Sequence, residues 1–126
     1  MTTASIGTDL YKVRLDDGRH TFSSGEPREL GGADSAPSPD ELMEASLASC
    51  TVITLRMYAN RKEWPVTAIN ATVTLERTES NTVFTRHIFI EGDITEEQRE
   101  RMLQVAGSCP VSKTLKGAIT ISSSIE

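Results

Sequence analysis

Two side chains in this sequence can do covalent chemistry near neutral pH: Cys50 and Cys109. The thiolate is the reactive form of cysteine, and its formation depends on the local pKa and on access. A pair of thiols can also cycle between dithiol and disulfide. Several readings of the pair are open at this level. Both can be small core hydrophobes, because free cysteine is among the most buried residue types. Cys50 sits in the middle of a helical pattern. Cys109 stands in Ser108-Cys109-Pro110, a helix start, where free N–H groups and the helix dipole favour a thiolate. Local physics therefore ranks Cys109 as the better nucleophile. A zinc site would need His20 and His87 to join both cysteines, and their positions lack ligand-like spacing. Each histidine reads as a cross-strand packing residue. No P-loop, dinucleotide fingerprint, nucleophile elbow or HExxH motif occurs.

The elements that must position these thiols follow from periodicity and capping. Leu10 to Leu15 alternates apolar and polar residues, which predicts a half-buried strand. Asp16-Asp17-Gly18 supplies a turn, and Arg19 to Ser24 is the partner strand. Residues 25–39 hold Gly25, Pro27, Gly31, Gly32, Pro37 and Pro39 and form a long loop, which in a small domain points to function. Ser38-Pro39-Asp40-Glu41 opens a helix that runs to about Lys62 and is stopped by Trp64-Pro65. Its residues are apolar or small on every stripe, from Met43, Leu47, Cys50 and Met57 to Ala48, Val52, Leu55 and Ala59. That pattern predicts a central, buried helix. Val66 to Arg77 and Val83 to Glu91 form two more strands. Thr95-Glu96-Glu97-Gln98 is a capping box for an amphipathic helix ending near Gly107. A short helix runs from Ser108-Cys109-Pro110 to Leu115, and Ala118 to Ile125 is a last strand. The fold class is α+β with antiparallel strands.

Composition narrows the function. The 126 residues carry 13 Lys+Arg against 18 Asp+Glu, a net charge of −5. An acidic chain without a basic cluster predicts no nucleic-acid partner. It also predicts no anionic membrane surface, and the least charged stretch, Ala45–Leu55, is too short to span a bilayer. Two cysteines exclude a disulfide-dense scaffold. The N-terminus lacks a signal-peptide pattern, so the expected compartment is the cytoplasm.

Three segments carry a family likeness. These are Pro27-Arg28-Glu29-Leu30-Gly31-Gly32, then Ser38-Pro39-Asp40-Glu41-Leu42 with Ala45-Ser46-Leu47-Ala48-Ser49-Cys50, then Ser108-Cys109-Pro110-Val111-Ser112-Lys113-Thr114-Leu115. Their order and spacing resemble the OsmC/Ohr family of osmotically inducible and organic hydroperoxide resistance proteins, on an OsmC-like branch. The resemblance implies one OsmC-like domain over residues 1–126, with an N-terminal hairpin and loop (1–37) and a body of central helix, strands and second cysteine helix (38–126). It implies an intertwined homodimer with antiparallel sheets wrapped around the central helices, and cysteines that meet at the dimer interface. It implies a thiol peroxidase. The residue matching Cys50 attacks an organic hydroperoxide and becomes a sulfenic acid, the residue matching Cys109 resolves it as a disulfide, and an external dithiol, lipoyl-type in one branch, reduces that. No cofactor or metal is implied. Arg28 matches the activating arginine and Asp40, ten residues before Cys50, the carboxylate that orients it, where the family usually has Glu. Arg19 and Arg56 are the other candidate arginines. An apolar interface of Met43, Leu47, Met57 and Phe22 would favour alkyl peroxides. The alternative is a non-catalytic dimer of this fold that binds a small apolar or thiol ligand.

Overall fold

The computed structural model describes residues 1–126. The chain divides into two compact units, Met1–Glu44 and Ala45–Glu126.

The first unit is a three-stranded antiparallel sheet in the order β1 (Thr3–Ile6), β2 (Val13–Asp16), β3 (Thr21–Ser24). Leu15 faces Phe22 across the β2–β3 pair. The turn between them is built by carboxylates. Asp16 accepts from the Gly18 N–H at 2.7 Å, and Asp17 accepts from the N–H groups of Arg19 and His20. Asp17 is held below the usual carboxylate range by the His20 N–H first and the Arg19 N–H second. The loop predicted after β3 is compact. Gly25 N–H and Ser24 Oγ both donate to the Pro37 carbonyl, which ties its ends together. A 3-10 turn spans Arg28–Leu30. Gly32 passes so close to the Glu26 backbone that a Cβ there would overlap the Glu26 carbonyl.

Helix α1 (Pro39–Lys62) starts and stops as its residues dictate. Ser38 Oγ accepts from the Glu41 N–H while the Glu41 carboxylate accepts from the Ser38 N–H, a reciprocal cap with Pro39 at the first helical position. At the other end Glu63 adopts φ 57°. The Trp64 N–H reaches the Ala59 carbonyl and the Glu63 N–H the Asn60 carbonyl, a Schellman closure. Trp64 then packs edge-on against Tyr58 at 5.4 Å.

In the second unit β4 (Val66–Arg77) and β5 (Thr82–Gly92) form a long antiparallel pair. Ile69, Ala71, Val73 and Leu75 face inward and Asn70, Thr72, Thr74 and Glu76 outward, as the alternation requires. Helix α2 (Glu96–Ala106) carries the predicted capping box between Thr95 and Gln98. One core joins α1, the β-pair and α2 through Leu55, Tyr58, Ala59, Val66, Met102 and Ala106. A second, around the cysteines, joins α1 and the β-pair to α3 (Pro110–Lys116).

Three expectations are corrected. A first strand, β1, forms at Thr3–Ile6, where the sequence reading placed no element. Ala118–Ile125 forms no strand, and Ile119, Ile121 and Ile125 are exposed. An alternating segment becomes a strand only beside a free sheet edge, and no strand of this chain lies against it. The central helix buries one stripe, Leu47, Thr51, Leu55, Tyr58 and Ala59, while Met43, Ile53 and Met57 remain exposed. Helix α2 ends at Gly107 as expected, with that residue in the right-handed conformation. No helix is long and apolar enough to cross a membrane.

Candidate functional site

Cys50 and Cys109 meet inside a single chain. Cys109 is buried at 0% exposure in a cluster with Leu47 and Val73, and Cys50, half-buried, packs against that cluster with Ala48, Phe84, Val111 and Leu115. Both thiols are free. Helix α1 delivers Cys50 one residue before the buried Thr51. The turn after α2 delivers Cys109, and here the cap of α3 is Cys109 itself rather than Ser108. Its sulfur accepts from the Ser112 N–H at 3.4 Å, with Pro110 at the first helical position.

Strand β5 adds a residue that the sequence reading did not single out. Arg86 donates to Thr51 Oγ1 at 3.0 Å and reaches the Cys109 sulfur at 3.9 Å. It lies across from Val73 on the neighbouring strand. A signal for it existed: Phe84, Arg86, Ile88 and Ile90 share the inward face of β5, and a cation on such a face needs a partner. Burial pushes the Cys109 thiol up. The Ser112 N–H, the contact with Cys50 and the Arg86 charge outweigh it and hold the thiol below its ordinary value. A groove of about 340 Å³ opens beside this cluster, lined by Leu47, Phe84, Leu115, Thr82, Ser112 and the cations Arg86 and Lys116.

Arg28 is exposed on the 3-10 turn of the first unit, and Asp40 sits in the first turn of α1. Arg19 belongs to the β2–β3 turn. Arg56 donates to the Val66 carbonyl at 2.8 Å and so braces the start of β4. Leu47, expected at a dimer interface, lies in the chain's own core. Met43, Met57 and Phe22 are exposed. His20 contacts Asp17 in the turn, and His87 packs edge-on against Phe89.

This arrangement offers two adjacent thiols, one reachable and one buried, with a guanidinium against the buried one. That is the equipment of a dithiol–disulfide couple. Comparison with curated protein sequences finds no match. Solved structures do match. The organic hydroperoxide resistance protein OsmC of Legionella pneumophila is 27% identical, with 93% of this chain and 88% of that one covered at a TM-score of 0.69. An organic hydroperoxide resistance protein of Elizabethkingia anophelis is 25% identical, with 92% and 86% covered at a TM-score of 0.70. The OsmC-like protein of Mycoplasma pneumoniae is 18% identical and shares the fold at a TM-score of 0.80, over 93% of this chain and 86% of that one. The family model described as OsmC-like protein matches residues 32–124, which include both cysteines and Arg86, and the chain belongs to that family.

Proposed function

We propose that the protein is a thiol-dependent peroxidase that reduces organic hydroperoxides. The observation that carries this reading is the convergence of two free thiols of unequal access in one cluster. The hydroperoxide resistance proteins among its structural relatives support the substrate class. Cys50 is the reachable sulfur and so the attacking one. Its thiolate bonds to the terminal peroxide oxygen, the O–O bond breaks, and the alkoxide leaves as the alcohol after taking a proton. Sulfur is oxidised by two electrons to the sulfenic acid and the peroxide is reduced by two. The Cys109 thiolate then attacks the Cys50 sulfur. The disulfide forms, hydroxide leaves and is protonated to water, and an external dithiol restores both thiols.

Arg28 and Asp40 are the pair proposed to bring Cys50 to its thiolate. A homodimer is proposed as the working form. The exposed apolar residues Met43, Ile53 and Met57 of α1 and the isoleucines after α3 are surface that a second copy would cover. The proposed setting is the cytoplasm, where dithiol reductants keep thiols reduced.

Stopped-flow consumption of cumene hydroperoxide by the reduced protein tests the reading. The parent protein should consume peroxide rapidly, and mass spectrometry should find one Cys50–Cys109 disulfide per chain. Cys50→Ser should fall to the rate of an unactivated thiol. A Cys50→Ser protein as fast as the parent sinks the proposal.

A further inference from the structure

We infer that Arg86 is a positioning residue for the second half of the cycle: it holds Cys109 as the thiolate that attacks the oxidised Cys50. The inference rests on the peroxidase reading above, but its physical core, the Arg86–Cys109 pair, can be measured without any turnover.

Cys109 has no access to solvent, so water does not stabilise its charged form. Four groups face its sulfur: the Ser112 N–H from its own helix, Cys50 and Thr51 from α1, and Arg86 from β5. From β4, Val73 contributes only apolar packing. Thr51 has a single hydroxyl proton and directs it to the Leu47 carbonyl at 2.7 Å, so it does not also donate to Cys109. The lone pair of Thr51 instead accepts from Arg86 at 3.0 Å, which pins the guanidinium beside the sulfur. Cys50 can donate to Cys109 only while its own thiol is protonated, and not as the attacking thiolate. Once it is a sulfenic acid, its S–H is gone. At the moment of resolution two donors remain that the first step did not alter, the Ser112 N–H and Arg86, and of the groups around Cys109 only Arg86 carries a charge.

The geometry gives Arg86 a place in the cycle different from that of an arginine that activates the attacking thiol. Arg86 is anchored through Thr51, the residue after Cys50, so a motion of α1 that moves Cys50 moves the anchor with it. A neutral residue at 86 would remove the one charge that favours the Cys109 thiolate, so less thiolate would be present for resolution. The Cys50 sulfenic acid would then wait, exposed to a second peroxide and to irreversible oxidation.

The test uses the full-length protein. In a Cys50→Ser background, which leaves Cys109 as the one titrating thiol and keeps a hydroxyl donor beside it, thiolate ultraviolet absorbance is followed against pH. Arg86→Gln should raise the Cys109 pKa by at least about one unit, an approximately tenfold loss of thiolate near neutral pH. Arg86→Lys, which keeps the charge but not the guanidinium reach, should fall between. In proteins with both cysteines, one equivalent of cumene hydroperoxide should leave Arg86→Gln with trapped Cys50 sulfenic acid where the parent has disulfide. Circular dichroism confirms the fold of each variant, and the Arg86→Lys titration decides the matter if Arg86→Gln does not fold. Titration of Cys109 unchanged by both substitutions overturns the inference. Failure of the parent to consume the hydroperoxide sinks the peroxidase reading alone and leaves the titration result standing.

Discussion

The two units of the chain are held by different forces. In Met1–Glu44 the strands are four residues long and mostly exposed, and Phe22 remains 44% exposed. What organises this unit is hydrogen bonding over short sequence distances: Asp16 and Asp17 in the turn, Pro37 closing the loop, Ser38 capping α1. In Ala45–Glu126 the strands are 12 and 11 residues long, and side chains from α1, β4, β5 and α2 share a core in which Leu55 and Met102 are 0% exposed. A few carboxylates and glycines can shape a small sheet, but a site with a buried thiol needs a wall of apolar atoms around it. Both cysteines and Arg86 lie in the second unit.

That contrast can be broken most directly in the core. Leu55→Ala should cost about 2–5 kcal/mol of stability, because it removes fully buried methyl groups from a closely packed site. Phe22→Ala in the first unit should cost clearly less. Urea unfolding of both variants makes the comparison, and equal losses would erase the distinction between the units. A smaller effect comes from capping. Thr95→Ala, which removes the acceptor for the Gln98 N–H, should cost about 1 kcal/mol in the same assay. In the opposite direction, Glu63→Gly should add roughly 0.5 kcal/mol, since glycine adopts the positive φ of that position without strain; the melting temperature should rise slightly.

The smallest effect is a pH dependence confined to the first unit. Asp17 has a lowered pKa in the folded chain, so its contribution is fully present above the unfolded carboxylate pKa of about 4 and is lost as pH falls through the lower folded value. Hydrogen exchange of the Arg19 and His20 amides should therefore lose protection in acid while the β4–β5 amides keep theirs. Simultaneous loss in both regions would show that the turn is not an independent device. Asp17→Asn should remove the pH dependence of those two amides.

Much of the fold was legible because its signals are local. Ser38-Pro39-Asp40-Glu41 and Thr95-Glu96-Glu97-Gln98 satisfy backbone groups within one helical turn, so the types and spacing of four residues suffice to place a helix start. Val66 to Arg77 reveals its inward face because side chains alternate along any strand. The site was legible in part. Both cysteines were singled out, and the family likeness paired them, yet local physics had no means to say that they touch. Arg86 was missed because its meaning depends on Thr51 and Cys109, which come to it from two other elements. Ala118–Ile125 was misread because alternation reports a capacity to pair, and pairing needs an edge that sequence alone does not locate.

The sequence by itself determined the helix boundaries, the inward faces of the long strands, the turn chemistry of the hairpin, the acidic charge and the two candidate thiols. Each follows from interactions spanning a few residues, or from composition. Tertiary structure decided that Cys109 is sealed and Cys50 reachable, that one stripe of α1 is covered while Met43, Ile53 and Met57 are not, and that a guanidinium stands 3.9 Å from the buried sulfur. Burial and charge proximity belong to the packed molecule: they depend on which atoms replace water around a group, and those atoms come from distant parts of the chain.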